Sequence, residues 1–406
     1  MTLAHAPLAL MLIGLAMYGV LGGADFGAAF WQLGARGDAD RPLREHAYRA
    51  MGPVWEANHV WLIFVLVICW TAYPTVFASI FSTLSVPLFI AAVGIILRGA
   101  AYAVHAGTAR EIERRRVDLL FSLSSILTPF ALGTVVGGIA SGRVPIGNAR
   151  GDLVTSWLNA SSIVVGVLAV ATGAYVAAAY LAADAARAGL DEVAAAFRLR
   201  ALAAGVITGP LAAAALVVVA LDAGRVGDNL VEWPAIVAVV ASGVAGVATL
   251  EAVRRSRYEL ARYGASAAVG AVVVGWALAQ RPELLPGITV DEAAAGHSTL
   301  VATMLGVAIG ALLLVPSLAF LFGLVLRGRF DAEARPVDER PAISERRTFP
   351  LLPVAVVAGA VGLPLTLIFD GGALLAVGVV ALLASVALAS IAIATASTAE
   401  DTSRTN

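Results

Sequence analysis

Apolar residues run along this chain in long blocks, not in alternation. A membrane span takes about 20 apolar residues. Eleven stretches qualify: 7–33, 55–73, 77–105, 117–140, 157–183, 200–221, 233–252, 264–280, 299–326, 350–368 and 371–397. Pro74 separates the second from the third. Pro234 falls in the first turn of the seventh, where a missing N–H does no harm. Pro210 lies inside the sixth and predicts a kink there. The pattern predicts an all-α polytopic membrane protein.

Composition agrees. The chain is 60% hydrophobic and 14% charged, with mean hydropathy +0.87, whereas soluble domains carry about 25% charged residues. A net charge of −1 argues against a nucleic-acid partner. The single cysteine, Cys69, excludes a disulfide or a Cys-rich metal site within the chain. The first apolar segment lacks a basic leader and is too long for a signal peptide, so it is expected to be retained.

All 27 basic residues are Arg, and their placement sets orientation. The loops 34–54, 106–116, 184–200, 253–263 and 327–349, with Arg404 in the tail, hold 22 of the 27. The opposite side holds Arg143, Arg150, Arg225 and Arg281, and Arg98 alone lies within a span. By the positive-inside rule the Arg-rich side is cytoplasmic, the N-terminus outside and the C-terminus inside.

Charged side chains at membrane depth cost about 2.5–3.5 kcal/mol each, so they need partners or a purpose. Asp25 in LGGADFGAAFW and Arg98 in GIILRGAAYAVH come out at similar depth. They read either as an ion pair locking two helices or as the lining of a polar route facing a partner's cofactor. Gly22, Gly23 and Gly27 around Asp25 would let a neighbouring helix approach closely. The second polar group is GPVWEANHVWLI, residues 52–63. Glu56 and His59 are three apart and share a helix face, as do Asn58 and Trp61. A carboxylate at the cytoplasmic mouth with an imidazole one turn deeper suits proton entry. The alternative is interfacial: Trp55 anchors, and an acid at a helix start complements the dipole. Haem ligation needs a His, Met or Cys pointing into a bundle. His59 is the only deeply placed His, and none of the five Met residues pairs with it, so the chain reads as poorly equipped to hold haem.

These residues carry a family resemblance. GPVWEANHVWLI resembles the second-helix signature of subunit II of the cytochrome bd quinol oxidases, where many relatives carry Asp at the position of Glu56. The WEANHVW form looks like the cyanide-insensitive oxidase branch. YGVLGGADFG is similar to the family's first helix and LRGAAY to its third, with Arg98. SWLN, from Ser156, resembles its fifth-helix opening, with Ala160 in place of the commoner Pro. The resemblance implies a nine-helix core of two four-helix bundles plus a peripheral helix. It also implies a heterodimer with a haem-bearing subunit I that carries haems b and d and oxidises quinol. It implies further that oxygen is reduced to water with cytoplasmic protons and that this chain ligates no haem. The acid at Glu56 is implied in proton passage, with Asn58 and His59 beside it. Asp25 and Arg98 are implied in supporting the haem region or the subunit contact. Some relatives hold a structural quinone in subunit II, which leaves a bound quinone open here.

The expected organisation follows. Residues 1–140 form the first bundle with the polar motifs, 141–280 the second, and 281–327 the ninth, peripheral helix. Residues 328–349 form an Arg-rich cytoplasmic loop, 350–398 an extra C-terminal transmembrane hairpin, and 399–406 a polar tail. The hairpin exceeds the family pattern and suits lipid or a small accessory subunit better than chemistry. The expected location is a bacterial or archaeal cell membrane. Two rival readings stand beside this one. A proton-coupled transporter would gather polar residues at the midplane, whereas here they cluster toward one side. A purely structural scaffold for subunit I is the other.

Overall fold

The computed structural model describes residues 2–34, 40–51, 55–105, 111–326 and 351–368, with 373–374, 377–378, 380–381, 384–385 and 388. They fall into two compact units, Met1–Leu318 and Ala319–Asn406. Among the described residues, eight helices are long and apolar enough to cross a membrane, and Asn58–Ala72 adds a shorter apolar helix.

The first span is one rod in three parts: α1 (His5–Met17), a π-helical turn (Tyr18–Gly22) and α2 (Gly23–Gly34). In the π turn the Gly23 N–H bonds the Tyr18 carbonyl five residues back. The glycines of YGVLGG tolerate this widening, which a regular pattern of hydrophobicity does not announce. A short helix follows, α3 (Arg41–Met51), where the sequence predicted only a loop. It is too polar to span, but Ala47 is buried, and Leu43 and Ala50 pack on the same apolar cluster. These positions recur at helical spacing and make one apolar face.

After α4 (Trp55–Ala72), Pro74 opens α5 (Pro74–Thr83), and Tyr73 before it is non-helical, as proline requires of its predecessor. The third predicted span, 77–105, is not continuous. It breaks at Leu84, and α6 runs Ser85–His105. Pro87 explains the break: its ring would collide with the carbonyl of Thr83 four residues earlier. Next come α7 (Glu111–Ala140), α8 (Ala160–Arg187) and α9 (Asp191–Asp222). Helix α9 continues through Pro210.

Beyond these lie α10 (Arg225–Leu230), α11 (Trp233–Arg254) and α12 (Tyr258–Gln280). A small antiparallel hairpin follows, β1 (Glu283–Leu285) and β2 (Ile288–Thr289). The sequence reading had no strand here. The Pro286-Gly287 turn makes it, with Gly287 at φ +83°, a value that favours glycine. Then come α13 (Val290–Ala293) and α14 (His297–Leu326). The second unit contains the end of α14 and α15 (Leu351–Ile368). The Arg-rich loop 328–349 and the tail 399–406 lie outside the described residues, as does most of the eleventh predicted span.

Helix α8 is the hub of the first unit, packing on α2, α7, α9 and α12. Small residues make this possible. A Cβ at Gly27 would lie 2.0 Å from the Gly173 carbonyl oxygen and 2.7 Å from the Ala177 Cβ. A Cβ at Gly137 would lie 2.5 Å from the Ser162 Cα. Trp31 Nε1 then donates to the Ala174 carbonyl at 2.8 Å, fixing α2 along α8. Asn159 caps α8 by accepting from the Ser162 N–H at 3.0 Å. Beside that cap Arg143 grips Asp222 through two bonds, 2.8 and 3.0 Å, and Ser161 Oγ donates to the same carboxylate at 2.6 Å. Outward, large apolar side chains such as Val206 and Ile207 on α9, Val244 on α11 and Leu312 on α14 stay exposed. In water this surface would aggregate; hydrocarbon is its natural solvent.

Candidate functional site

The polar residues of α2, α4, α6 and α7 meet inside the first unit. Arg98 on α6 and Asp25 on α2 are joined by an Nη2–Oδ1 contact of 2.6 Å, with both side chains 1% exposed. Arg98 Nη1 donates to Ser125 Oγ on α7 at 3.1 Å. Its guanidinium lies between two aromatic faces, 4.7 Å from the Phe26 ring centre and 4.8 Å from that of Phe121. The carboxylate, the hydroxyl and the two ring faces together offset the cost of burying the cation.

Ser125 in turn donates to the Phe121 carbonyl at 2.6 Å. The neighbouring hydroxyls of α7 do likewise: Ser124 to Phe121, at 2.9 Å, and Thr128 to Ser124, at 2.8 Å. Each hydroxyl is satisfied on its own helix, so a polar stripe crosses the bundle at little cost. Phe121 also borders a narrow crevice lined by Gln32, Tyr48 and Asp118.

The start of α4 supplies the second group. Asn58 is buried and donates through Nδ2 to the Leu21 carbonyl in the π turn at 3.2 Å. His59 is half-buried and sets its ring edge-on to Tyr18, at 6.2 Å, and to Phe26, at 6.1 Å. Trp61 lies edge-on to Phe64 at 6.4 Å. Asn58 and His59, assigned to different helix faces by spacing, therefore both meet the rod that carries Asp25. The side chains of Trp55 and Glu56 lie outside the described residues; their backbones open α4.

Of the residues singled out in the sequence, the structure gathers Asp25, Arg98, Asn58 and His59 around one stretch of the first span. It adds Tyr18, Phe26, Phe121 and Ser125, which the sequence reading passed over. The hydroxyl run in FSLSSILTP, residues 121–129, was the available signal for Ser125. Nothing local marked the aromatics, which look like ordinary apolar positions. Among the described residues no group of three or more His, Cys, Asp or Glu side chains is placed to hold a metal ion.

The comparisons with known proteins point one way. No curated protein sequence matches. Fourteen chains of solved structures do. One belongs to the structure of bd oxidase from Geobacillus thermodenitrificans. It has 25% sequence identity and a TM-score of 0.67, over 80% of this chain and 99% of that one. The family model for cytochrome bd terminal oxidase subunit II matches residues 3–325, which include every residue of the buried cluster. The chain thus belongs to the cytochrome bd terminal oxidase subunit II family.

Proposed function

We propose that this chain pairs with a haem-bearing subunit I in a quinol-oxidising, oxygen-reducing complex, and that its buried polar cluster carries protons inward from the cytoplasmic side. The family supports the complex. The cluster supports the role: the observation that carries it is the buried Asp25–Arg98 pair with His59 and Asn58 turned toward its helix. A membrane protein under no functional demand would fill this space with apolar side chains. The transporter reading is set aside by the family. The nine-helix core in two four-helix bundles, the outside N-terminus and the accessory role of the C-terminal hairpin belong to the same proposal.

The partner's haems supply the oxygen chemistry. This chain's residues hold and hand on protons. Glu56 in the first turn of α4 takes a proton from the aqueous face. His59 stands one turn deeper and hands the proton on. Beyond it, Arg98 and Asp25 form the buried pair at 2.6 Å.

The test is Glu56→Gln in the assembled complex. Oxygen consumption with quinol should fall about a hundredfold or more, the lower end of the range for losing one proton-transfer group, while haem content and assembly hold. Unchanged turnover sinks the proton role. Loss of the complex with its haem spectra favours the scaffold reading.

A further inference from the structure

Tyr18 opens the π turn, and Asp25 follows seven residues later on the same rod. The Tyr18 ring lies over Gly22, where a Cβ would come within 3.0 Å of it. It is thus directed along the rod toward Phe26, whose ring edge it meets at 6.4 Å, and toward His59. Tyr18 is 7% exposed and Asp25 4%. Each still has a buried polar atom with no hydrogen-bond partner: Tyr18 Oη and Asp25 Oδ2. Leaving one buried hydroxyl unsatisfied costs about 1–3 kcal/mol, and a charged group more. Two such atoms on one rod, one a donor and one an acceptor, call for something small that can both accept and donate.

We propose that Tyr18 Oη and Asp25 Oδ2 hold a buried water molecule between them, and that Tyr18 is thereby a positioning residue on the path from His59 to Asp25. The hydroxyl donates to the water oxygen, and the water donates to the carboxylate. The His59 ring stands edge-on to Tyr18, at 6.2 Å between centres. A buried water needs two to four polar partners, and Tyr18 Oη and Asp25 Oδ2 would supply two. The π turn covers the stretch where the Tyr18 ring passes Gly22. The water site stands on geometry alone; its part in proton passage rests on the function proposed above.

Tyr18→Phe in the full oxidase complex tests this, because it removes the hydroxyl and keeps the ring. Redox-difference infrared spectra recorded in H2(16)O and H2(18)O should show an isotope-sensitive water band in the parent. That band should vanish in Tyr18→Phe and also in Asp25→Asn. Turnover of Tyr18→Phe should fall about tenfold, with haem content unchanged. A band that survives in Tyr18→Phe, or is missing from the parent, overturns the water. A lost band with full turnover overturns the positioning role. Glu56→Gln separates the two readings: if it leaves turnover intact while the Tyr18-dependent band is present, the proton route fails and the water remains.

Discussion

At the scale of single residues, the Asp25–Arg98 pair is where packing and function compete for the same atoms. Removing one partner strands a buried charge, which costs about 3–5 kcal/mol. Asp25→Asn and Arg98→Met should therefore each destabilise the complex by about that amount. The double variant removes both charges, and apolar replacement of a buried pair is often neutral or better, so it should regain most of the loss. Melting of the purified complex, followed by its haem spectrum, measures this. Turnover then decides the pair's purpose. A double variant that is stable but slow marks a charge needed for the reaction, whereas one that is both stable and fast marks a clamp. The Phe26 and Phe121 faces remain in every case, so a remaining Arg98 keeps part of its stabilisation in Asp25→Asn.

At the scale of elements, the site depends on how closely α2 rests on α8. Two apolar helices in lipid gain nothing from the hydrophobic effect by meeting, so contact depends on how near the backbones come. Gly27 and Gly173 set that distance. Gly27→Leu would drive a side chain into the Gly173 carbonyl. Overpacking of this kind costs about 1–3 kcal/mol, and the melting temperature of the complex should drop by about 1–3 °C. A variant melting with the parent would show that α2 does not dock on α8 at this spacing. Asp25 stands two residues before Gly27, so the same change should lower haem-supported turnover as well. The π turn and the break at Leu84 act alike: each reorients a stretch of helix that carries a polar or buried residue into the cluster.

At the scale of the whole molecule, the Arg bias carries the proposed orientation. Residue 148 lies in the connection between α7 and α8, and residue 188 lies at the far end of α8; both are exposed. Asn148→Cys should react with a membrane-impermeant maleimide in intact cells, and Ala188→Cys only after lysis. The native Cys69 is buried and gives little background. The reverse labelling pattern would overturn the orientation and with it the cytoplasmic entry for protons.

What the sequence determined by itself was most of the long apolar helices, the uneven spread of Arg between loops and the identity of the costly residues. All three depend on local composition. Hydrocarbon forces each backbone segment to satisfy its own hydrogen bonds, so a long apolar run becomes a helix wherever it occurs. A charge within such a run, Arg98 or Asp25, announces itself against that background. The small-residue stretches LGGADFG and VATGAYVAAAY announced close packing without saying which helix meets which. Only the tertiary structure decided that these two meet each other, that Asn58 bonds the Leu21 carbonyl, and that Phe121 and Ser125 complete the surroundings of Arg98. Facing is a property of two elements at once. A one-residue widening at Tyr18–Gly22 shifts everything after it by about 100° around the helix axis, and the run of apolar letters looks the same before and after.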